Sequence, residues 1–233
     1  PGYTFIEADY SQLELRVAAH YSQDKALIAA FQSGEDIHRV VASQIYHVPP
    51  EEVQFEQRYK AKWVSFGLLY GRGARSLAAQ LQVPEAEAQE YIDKFFAQFP
   101  GFTRWVQGQH RKAVEEGEVV TWFGNRRRFP FVTRKTLGEV QRRAVNSPIQ
   151  GTASHICLYG MGKVLDAWDP ELVRGVLTVH DQILLECRDD LVTEVVPRVR
   201  ELMQTVPFPA DVPFPVDIKT GKRWGSLEDL EVK

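Results

Sequence analysis

The sequence has 233 residues, of which 44% are hydrophobic, so it can bury a sizeable core in one large domain or two small ones. Its apolar runs all fall short of the roughly 18 residues that cross a membrane, so we expect no membrane partner. The formal net charge of −3 argues against a general polyanion binder but leaves room for a local basic patch. Cys157 and Cys187 lack a metal-binding or redox spacing, which indicates two buried thiols in a reducing compartment.

Predicted helices and strands follow one another without internal repeats or low-complexity tracts. The chain opens on a strand over 4–9, and its start at Pro1 without a Met predicts a fragment of a longer protein. Helices are expected over 11–31 with a break near 22–24, over 36–46, from 51 onward, and over 56–70, 76–81, 84–99 and 102–116. The order is completed by a short strand at 119–123, a basic loop, a helix over 137–167 with a kink or boundary near Pro148 and Gly151, a hairpin over 173–187, a helix over 190–206 and a strand over 216–219.

The helix over 56–70 carries two cations and then two rings at intervals of four residues: Arg58, Lys62, Phe66 and Tyr70. Four residues turn an α-helix about 40° past one revolution, so these side chains form one slowly twisting ridge. Cations at one end and flat rings at the other suit a ligand with a polyanionic end and a planar end, such as a nucleoside triphosphate. An ordinary amphipathic helix with packed rings and solvated cations would show the same pattern.

A local excess of positive charge lies between Arg126 and Arg143. The cations of this segment stand against the single acid Glu139, and they are Arg126, Arg127, Arg128, Arg134, Lys135, Arg142 and Arg143. Such an excess suits the phosphate backbones of nucleic acids, although a solvated loop accounts for it equally well.

Two aspartates occupy positions where a carboxylate would stand at the end of a sheet. Asp9 follows an apolar strand and precedes a helix, while Asp181 lies at the tip of the predicted hairpin. Two Mg²⁺ ions about 3.5–4 Å apart can be held by two carboxylates and triphosphate oxygens, and they activate an attacking oxygen and stabilise a leaving one. Each aspartate by itself is also common in turns for purely local hydrogen-bonding reasons.

Three segments resemble, in this order, the polymerase motifs of family A, the bacterial DNA polymerase I-like enzymes. They are D-Y-S-Q-L-E-L-R at 9–16, R-Y-K-A-K-W-V-S-F-G-L-L-Y-G at 58–71 and V-H-D-Q at 179–182. D-I-H-R at 36–39, F-G-N-R-R-R at 123–128 and N-S-P-I-Q-G-T-A at 146–153 agree as well. The resemblance covers essentially the whole chain and implies an α+β right-hand polymerase fold that lacks its thumb. An antiparallel palm sheet would be formed by 1–23 and 132–233, with a helical fingers subdomain inserted over 24–131.

The resemblance also implies roles for individual residues. Asp9, Asp181 and the backbone carbonyl of Tyr10 would hold two Mg²⁺ ions, for which Mn²⁺ can substitute. The incoming nucleotide would be bound by Arg58, Lys62, Phe66, Tyr70, His38, Glu14 and Gln12. Lys62 would act in catalysis as well by stabilising the leaving pyrophosphate, and Glu14 would exclude a ribose 2′-hydroxyl. Primer-template DNA would be bound by Arg142, Asn146, Gln150, His180, Arg126 and Arg127.

Three positions depart from the family pattern: Gln182 stands where Glu is usual, Tyr59 where a second Arg is common, and Ser65 where Asn is frequent. These departures bear on fidelity and nucleotide selection.

The resemblance implies a DNA-directed DNA polymerase in the cytoplasm of a bacterial or phage-infected cell. Its partners would be primer-template DNA, deoxynucleoside triphosphates and the missing N-terminal part of the polymerase. One alternative is a catalytically dependent or silent nucleic-acid-binding fragment of a split or truncated polymerase. Another is a two-metal nuclease, which would explain the carboxylates but not the ridge of cations and rings.

Overall fold

Residues 2–229, which are the residues that the computed structural model describes, form both helices and antiparallel strands. The helices are α1 (Leu13–Ser22), α2 (Lys25–Ser33), α3 (Ile37–Tyr46), α4 (Phe55–Leu69), α5 (Ala74–Leu81), α6 (Glu85–Gln98), α7 (Pro100–Glu115), α8 (Leu137–Asp166) and α9 (Val192–Gln204). The strands are β1 (Tyr3–Tyr10), β2 (Glu118–Val120), β3 (Arg126–Arg128), β4 (Val173–Val179), β5 (Gln182–Arg188), β6 (Val216–Gly221) and β7 (Glu228–Asp229). The predicted α+β class is therefore confirmed. Within this part of the chain, no helix is long and apolar enough to span a membrane.

The chain divides into two compact units, one formed by residues 1–13 with 153–233 and the other by residues 14–152. The change of unit at 152–153 falls close to Pro148 and Gly151, where a kink or boundary was expected, but α8 itself runs through both positions without interruption. The predicted palm and fingers subdomains, 1–23, 24–131 and 132–233, remain a prediction, because a division into compact units does not show which residues form a palm or fingers.

The first unit is built on a five-stranded antiparallel sheet with the order β4-β5-β1-β6-β7. Strand β1 alternates, so Ile6, Ala8 and Tyr10 are buried while Glu7 and Asp9 lie half-buried on the other face. The Tyr10 hydroxyl donates a hydrogen bond of 2.7 Å to the carbonyl of Met203 in α9. Burial of one face of β1 fixes its register, and the register determines which polar side chains meet at the sheet's end.

The second unit contains α1–α7, the β2–β3 hairpin and the first half of α8. Asp24 caps α2 and Asp36 caps α3, which explains the predicted break near 22–24 and the start of the helix after Asp36. Helix α3 packs against α4, and both contribute residues to the core of this unit. The ridge helix predicted over 56–70 is α4, although Tyr70 stands at its C-cap rather than within it.

The basic segment differs from the sequence expectation. The predicted strand at 119–123 is limited to β2, because residues 121–125 turn the chain, with Thr121 N–H donating to the Asn125 carbonyl at 2.9 Å. The expected basic loop contains β3, which pairs with β2. Glu118 of β2 lies opposite Arg128 and forms ion pairs with Arg126 and Arg128, so an acid from outside the segment offsets part of its charge.

Smaller differences concern short elements. The helix expected from 51 is a single 3₁₀ turn at Pro50–Glu52, and a second 3₁₀ turn at Asp189–Leu191 precedes α9. Strand β7, which pairs with β6, was not predicted, because two residues are too few to show a period.

Candidate active site

Asp9 and Asp181 are brought together at one end of the sheet of the first unit. Asp9 lies opposite Gln182 in the antiparallel pairing of β1 with β5, and Asp181 belongs to the two-residue turn between β4 and β5. The Tyr10 N–H donates to the carbonyl of Asp181 at 3.2 Å, which fixes the turn beside the end of β1. The first residue of the turn, His180, has a φ of 56° and an exposed side chain.

Electrostatic repulsion and burial both disfavour the charged form of Asp9. The pKa of Asp9 is raised from 3.8 to about 6, mainly by burial and in addition by the charges of Asp181, Asp217 and Glu7, while Lys219 opposes them. Burial also raises the pKa of Asp181. Asp9 lines an open cavity of about 460 Å³ together with these neighbours from β1 and β6. This end of the sheet therefore concentrates negative charge that a bound cation would neutralise.

The donor set suits a hard divalent cation such as Mg²⁺, which prefers carboxylate oxygens and retains several waters. Asp9 and Asp181 supply carboxylates from two neighbouring strand ends, and the carbonyl of Tyr10 is the third predicted donor. Between residues 2 and 229, no group of three or more His, Cys, Asp or Glu side chains is arranged to hold a metal ion. An ion held by these two aspartates would complete its coordination with water or with oxygens of the substrate.

The candidate phosphate-binding residues form a cluster at the start of α3 and the first half of α4, in the second unit. Arg58 is half-buried and its Nε donates to Asp36 Oδ2 at 2.5 Å, whereas Lys62 is exposed. His38 lies close enough to Arg58 and Lys62 for their charges to affect its pKa. Helical geometry places Arg58 and Lys62 on successive turns, as the spacing of four predicts.

His38 is only 3% exposed, and its ring centroid lies 5.5 Å from that of Phe66. Burial lowers the pKa of His38 to about 4, with Asp36 opposing and the cations Arg58 and Lys62 adding to the decrease. In the unliganded protein at neutral pH this histidine is therefore an uncharged hydrogen-bonding group. Its Nδ1 is a buried nitrogen without a hydrogen-bond partner in the described part of the chain.

Glu14 and Tyr70 meet although 56 residues separate them. The Tyr70 hydroxyl donates to Glu14 Oε2 at 2.6 Å, and both side chains are partly buried. A short bond to a carboxylate fixes the position of Glu14, which a residue that excludes a hydroxyl by contact requires. Gln12 belongs to the first unit and has a φ of 55° in the turn between β1 and α1.

Three of the predicted DNA-binding residues line a single groove of about 240 Å³. Arg126 and Arg127 lie on one side, on β3, and Gln150 lies on the other, on α8. Asn125 and Ser147, which the sequence did not single out, line the same groove. Exposed guanidinium groups and amides in one groove are suited to phosphate and base edges.

Arg142 and Asn146 lie further toward the start of α8, on the same ridge as Gln150. Arg142 is in tight contact with Gly71, where a Cβ atom would lie 2.8 Å from the Arg142 Cα. Gly71 has a φ of 64°, so both its conformation and this contact favour glycine directly after α4.

Sequence reasoning missed two acids whose importance depends on pairing. Asp217 lies directly opposite Asp9 in the β1–β6 pairing, and Asp36 at the N-cap of α3 contacts Arg58 of α4. The sequence predicted a strand over 216–219, but the register that places Asp217 opposite Asp9 could not be read from the chain.

The chain belongs to DNA polymerase family A, whose sequence model matches residues 1–226. The resemblance drawn from the motifs is therefore confirmed. DNA polymerase I of Pseudomonas aeruginosa is 41% identical over 229 residues, which are 96% of this chain and 25% of that protein. DNA polymerase I of Chloroflexus aurantiacus is 39% identical over 236 residues, covering 99% of this chain and 25% of that protein.

A solved structure shows the same fold. The POL domain of Pol1 from M. smegmatis, in complex with DNA primer-template and dNTP, matches with a TM-score of 0.87 and 38% sequence identity. The match covers 94% of this chain and 40% of that chain. The chain spans about a quarter of the length of the two curated relatives named above.

Proposed function

We propose that this chain carries the catalytic centre of a template-directed DNA polymerase, which transfers deoxynucleoside monophosphates to a primer 3′-hydroxyl. The observation that carries the proposal is the meeting of Asp9 and Asp181 at adjacent strand ends, tied by the Tyr10 hydrogen bond. Membership of DNA polymerase family A supports it. In the reaction, a bond forms between the primer O3′ and the α-phosphorus, and the bond to the bridging oxygen of the pyrophosphate breaks.

Two Mg²⁺ ions at Asp9, Asp181 and the Tyr10 carbonyl would lower the pKa of the primer hydroxyl and stabilise the leaving oxygen, and Mn²⁺ can replace them. The carboxylates hold the charge that retains the ions, and their raised pKa values indicate that they gain from binding a cation. Gln182 cannot add a third negative charge at this position, so we infer that the two aspartates are sufficient.

On the nucleotide side, Arg58 and Lys62 would bind the triphosphate and stabilise the charge that develops on the pyrophosphate. His38 would act as a neutral hydrogen-bond donor, because its burial disfavours the imidazolium. Phe66 and Tyr70 present rings for stacking, and Tyr70 holds Glu14 in the position from which it would exclude a 2′-hydroxyl.

On the DNA side, the groove formed by Arg126, Arg127 and Gln150 would bind the duplex, with Arg142 and Asn146 on the same helix face as Gln150. Groups that reach the minor groove can test base-pair geometry without reading sequence, because its acceptors are shared by all correct pairs. His180 at the hairpin tip would contact the primer terminus.

Single-nucleotide primer extension tests the proposal. The assay combines a paired primer-template, Mg²⁺ or Mn²⁺, and one complementary deoxynucleotide with the 233-residue chain, Asp9→Ala and Asp181→Asn. We expect extension by the unaltered chain and none by either variant. Extension that persists in both variants would remove the two aspartates from the reaction.

A second candidate function follows from the length of the chain, which spans about a quarter of the length of its curated relatives. The chain could depend on the N-terminal part of a longer polymerase, including a thumb, for its hold on DNA. Extension that occurs only after this part is supplied would establish such a dependent fragment. Binding of primer-template without extension under either condition would identify a silent binding module.

A further inference from the structure

The carboxylate of Asp36 bridges the two helices that carry the candidate phosphate-binding groups. One oxygen, Oδ1, accepts hydrogen bonds from the backbone N–H groups of His38 at 3.0 Å and Arg39 at 3.3 Å, which caps α3. The other oxygen, Oδ2, accepts a hydrogen bond from Arg58 Nε of α4 at 2.5 Å. A single side chain therefore contacts the segments of two different candidate ligand-binding residues.

Capping alone does not account for this arrangement, as the preceding helix shows. Asp24 caps α2 in the same way, with Oδ1 accepting from Ala26 N–H at 3.1 Å and Leu27 N–H at 3.2 Å. Its second oxygen accepts from the backbone N–H of Gly101 at 2.7 Å, so it serves packing between helices. Both aspartates therefore cap a helix in the same way, but the second carboxylate oxygen accepts from a backbone N–H in Asp24 and from the side chain of Arg58 in Asp36.

The contact with Asp36 constrains the direction of the Arg58 guanidinium group. It uses Nε, so the two Nη groups, with four N–H donors, are not consumed by it. A guanidinium group is planar, and fixing Nε fixes the plane in which these donors lie. The side chains of Arg58 and Asp36 are 34% and 31% exposed, so this ion pair is less screened by solvent than an ordinary surface pair.

Contacts of the neighbouring residue Arg39 also connect α3 to the segment before α4. Arg39, which follows His38, donates through Nη1 to the carbonyls of Pro50 at 3.0 Å and Val53 at 3.2 Å, just before α4. Burial acts to raise the pKa of Asp36, but the hydrogen bond and charge of Arg58, together with the capped N–H groups, lower it, so the carboxylate is charged at neutral pH.

We propose that Asp36 is a positioning residue for the incoming nucleotide, acting through Arg58 by orienting its Nη donors toward the triphosphate. This inference rests on the proposed function, because it assigns Arg58 to the triphosphate. Asp36 itself does not touch the substrate, since a carboxylate beside a triphosphate would be repelled. Its role is to reduce the side-chain entropy that Arg58 would otherwise lose on binding.

Steady-state single-nucleotide incorporation, on the protein at its full natural length, tests the proposal with Asp36→Asn. Asparagine retains the cap through its carbonyl oxygen and loses the charge that holds Arg58. We expect KM for the deoxynucleotide to rise about tenfold, as for the loss of a charge-assisted hydrogen bond, while kcat and the Kd for primer-template change less than about twofold. Asp36→Ser, which keeps a capping hydroxyl and cannot reach Arg58, should behave in the same way.

Two controls separate positioning from damage to the fold. Asp24→Asn removes the matched carboxylate, and it should lower thermal stability without raising KM. Arg58→Ala should raise KM by itself, and Asp36→Asn should add nothing in that background, because its partner is gone. Calorimetric titration of dTTP with Mg²⁺ in the absence of DNA provides a readout that needs no turnover, and Asp36→Asn should weaken that Kd about tenfold.

An unchanged KM and dTTP affinity in Asp36→Asn would overturn the proposal. The proposal would also be overturned if Asp36→Asn raised KM in the Arg58→Ala background as much as it does alone, because Asp36 would then act independently of Arg58. An equal rise in KM for Asp24→Asn would overturn it as well. These outcomes differ from failure of the proposed function, which would appear as extension that survives Asp9→Ala and Asp181→Asn.

Discussion

Asp9 is expected to destabilise the metal-free protein, so replacing it should raise stability while abolishing activity. Its pKa is about 6 in the folded protein against the ordinary 3.8. The folded state therefore binds a proton more tightly than the unfolded state, and stability decreases as the pH rises from about 4 to 6. At 1.36 kcal/mol per pKa unit the penalty above pH 6 is about 3 kcal/mol, which screening of a half-exposed carboxylate reduces to about 1–2 kcal/mol.

Asp9→Asn removes this penalty. In EDTA at pH 8 we expect urea denaturation to show a free energy of unfolding higher by about 1–2 kcal/mol, and at pH 4 no difference from the unaltered chain. Glu35→Gln is the matched control, because it makes the same charge change at an exposed position of the second unit and should have no such effect. Adding Mg²⁺ should stabilise the unaltered protein more than Asp9→Asn. A variant that is equally or less stable in EDTA at pH 8 would refute the electrostatic reasoning.

Three further predictions concern the second unit. Glu14→Ala should increase incorporation of ribonucleotides relative to deoxynucleotides by at least about tenfold, because the residue that Tyr70 holds in place is gone; competitive incorporation measures this, and an unchanged ratio would contradict the role of Glu14. Lys62→Ala should raise KM for nucleotide by about tenfold or more with primer-template affinity nearly unchanged, whereas fluorescence anisotropy showing a loss confined to DNA binding would reassign the residue. Gly71→Ala should lower the free energy of unfolding by at least about 2 kcal/mol in chemical denaturation, since position 71 combines a positive φ with a close contact to the backbone of Arg142. Gly138→Ala in α8 is the control, because a Cβ there meets nothing within 4 Å, and it should be neutral or stabilising.

Local patterns predicted much of this protein because they depend on periods that a chain carries by itself. The spacing of four along Arg58, Lys62 and Phe66 is present in α4, and the apolar strand expected before Asp9 is β1. The polar tip of the predicted hairpin is the turn that holds Asp181. The motifs, read with their order, identified the family.

Where the sequence misled, residues outside the segment changed the local structure. The segment 126–128 has three arginines, which repel one another, and no sequence signal for a strand. It becomes β3 because β2 offers a partner and Glu118 lies between two of the charges. Pro148 does not interrupt α8, since its neighbours are packed within the second unit and tertiary contacts override the local preference.

The sequence by itself determined which residues could perform the chemistry: two aspartates after strand signals, a ridge of cations and rings, and a basic segment. Only the tertiary structure decided which of them act on one another. Strand register places Asp217 opposite Asp9, where the charge of Asp217 adds to the effect of burial in raising the pKa of Asp9. The packing of α3 on α4 gives Asp36 a second partner in Arg58. The physical reason is that charge interactions and hydrogen bonds depend on distances of a few ångströms, which pairing and packing fix between residues far apart in the chain.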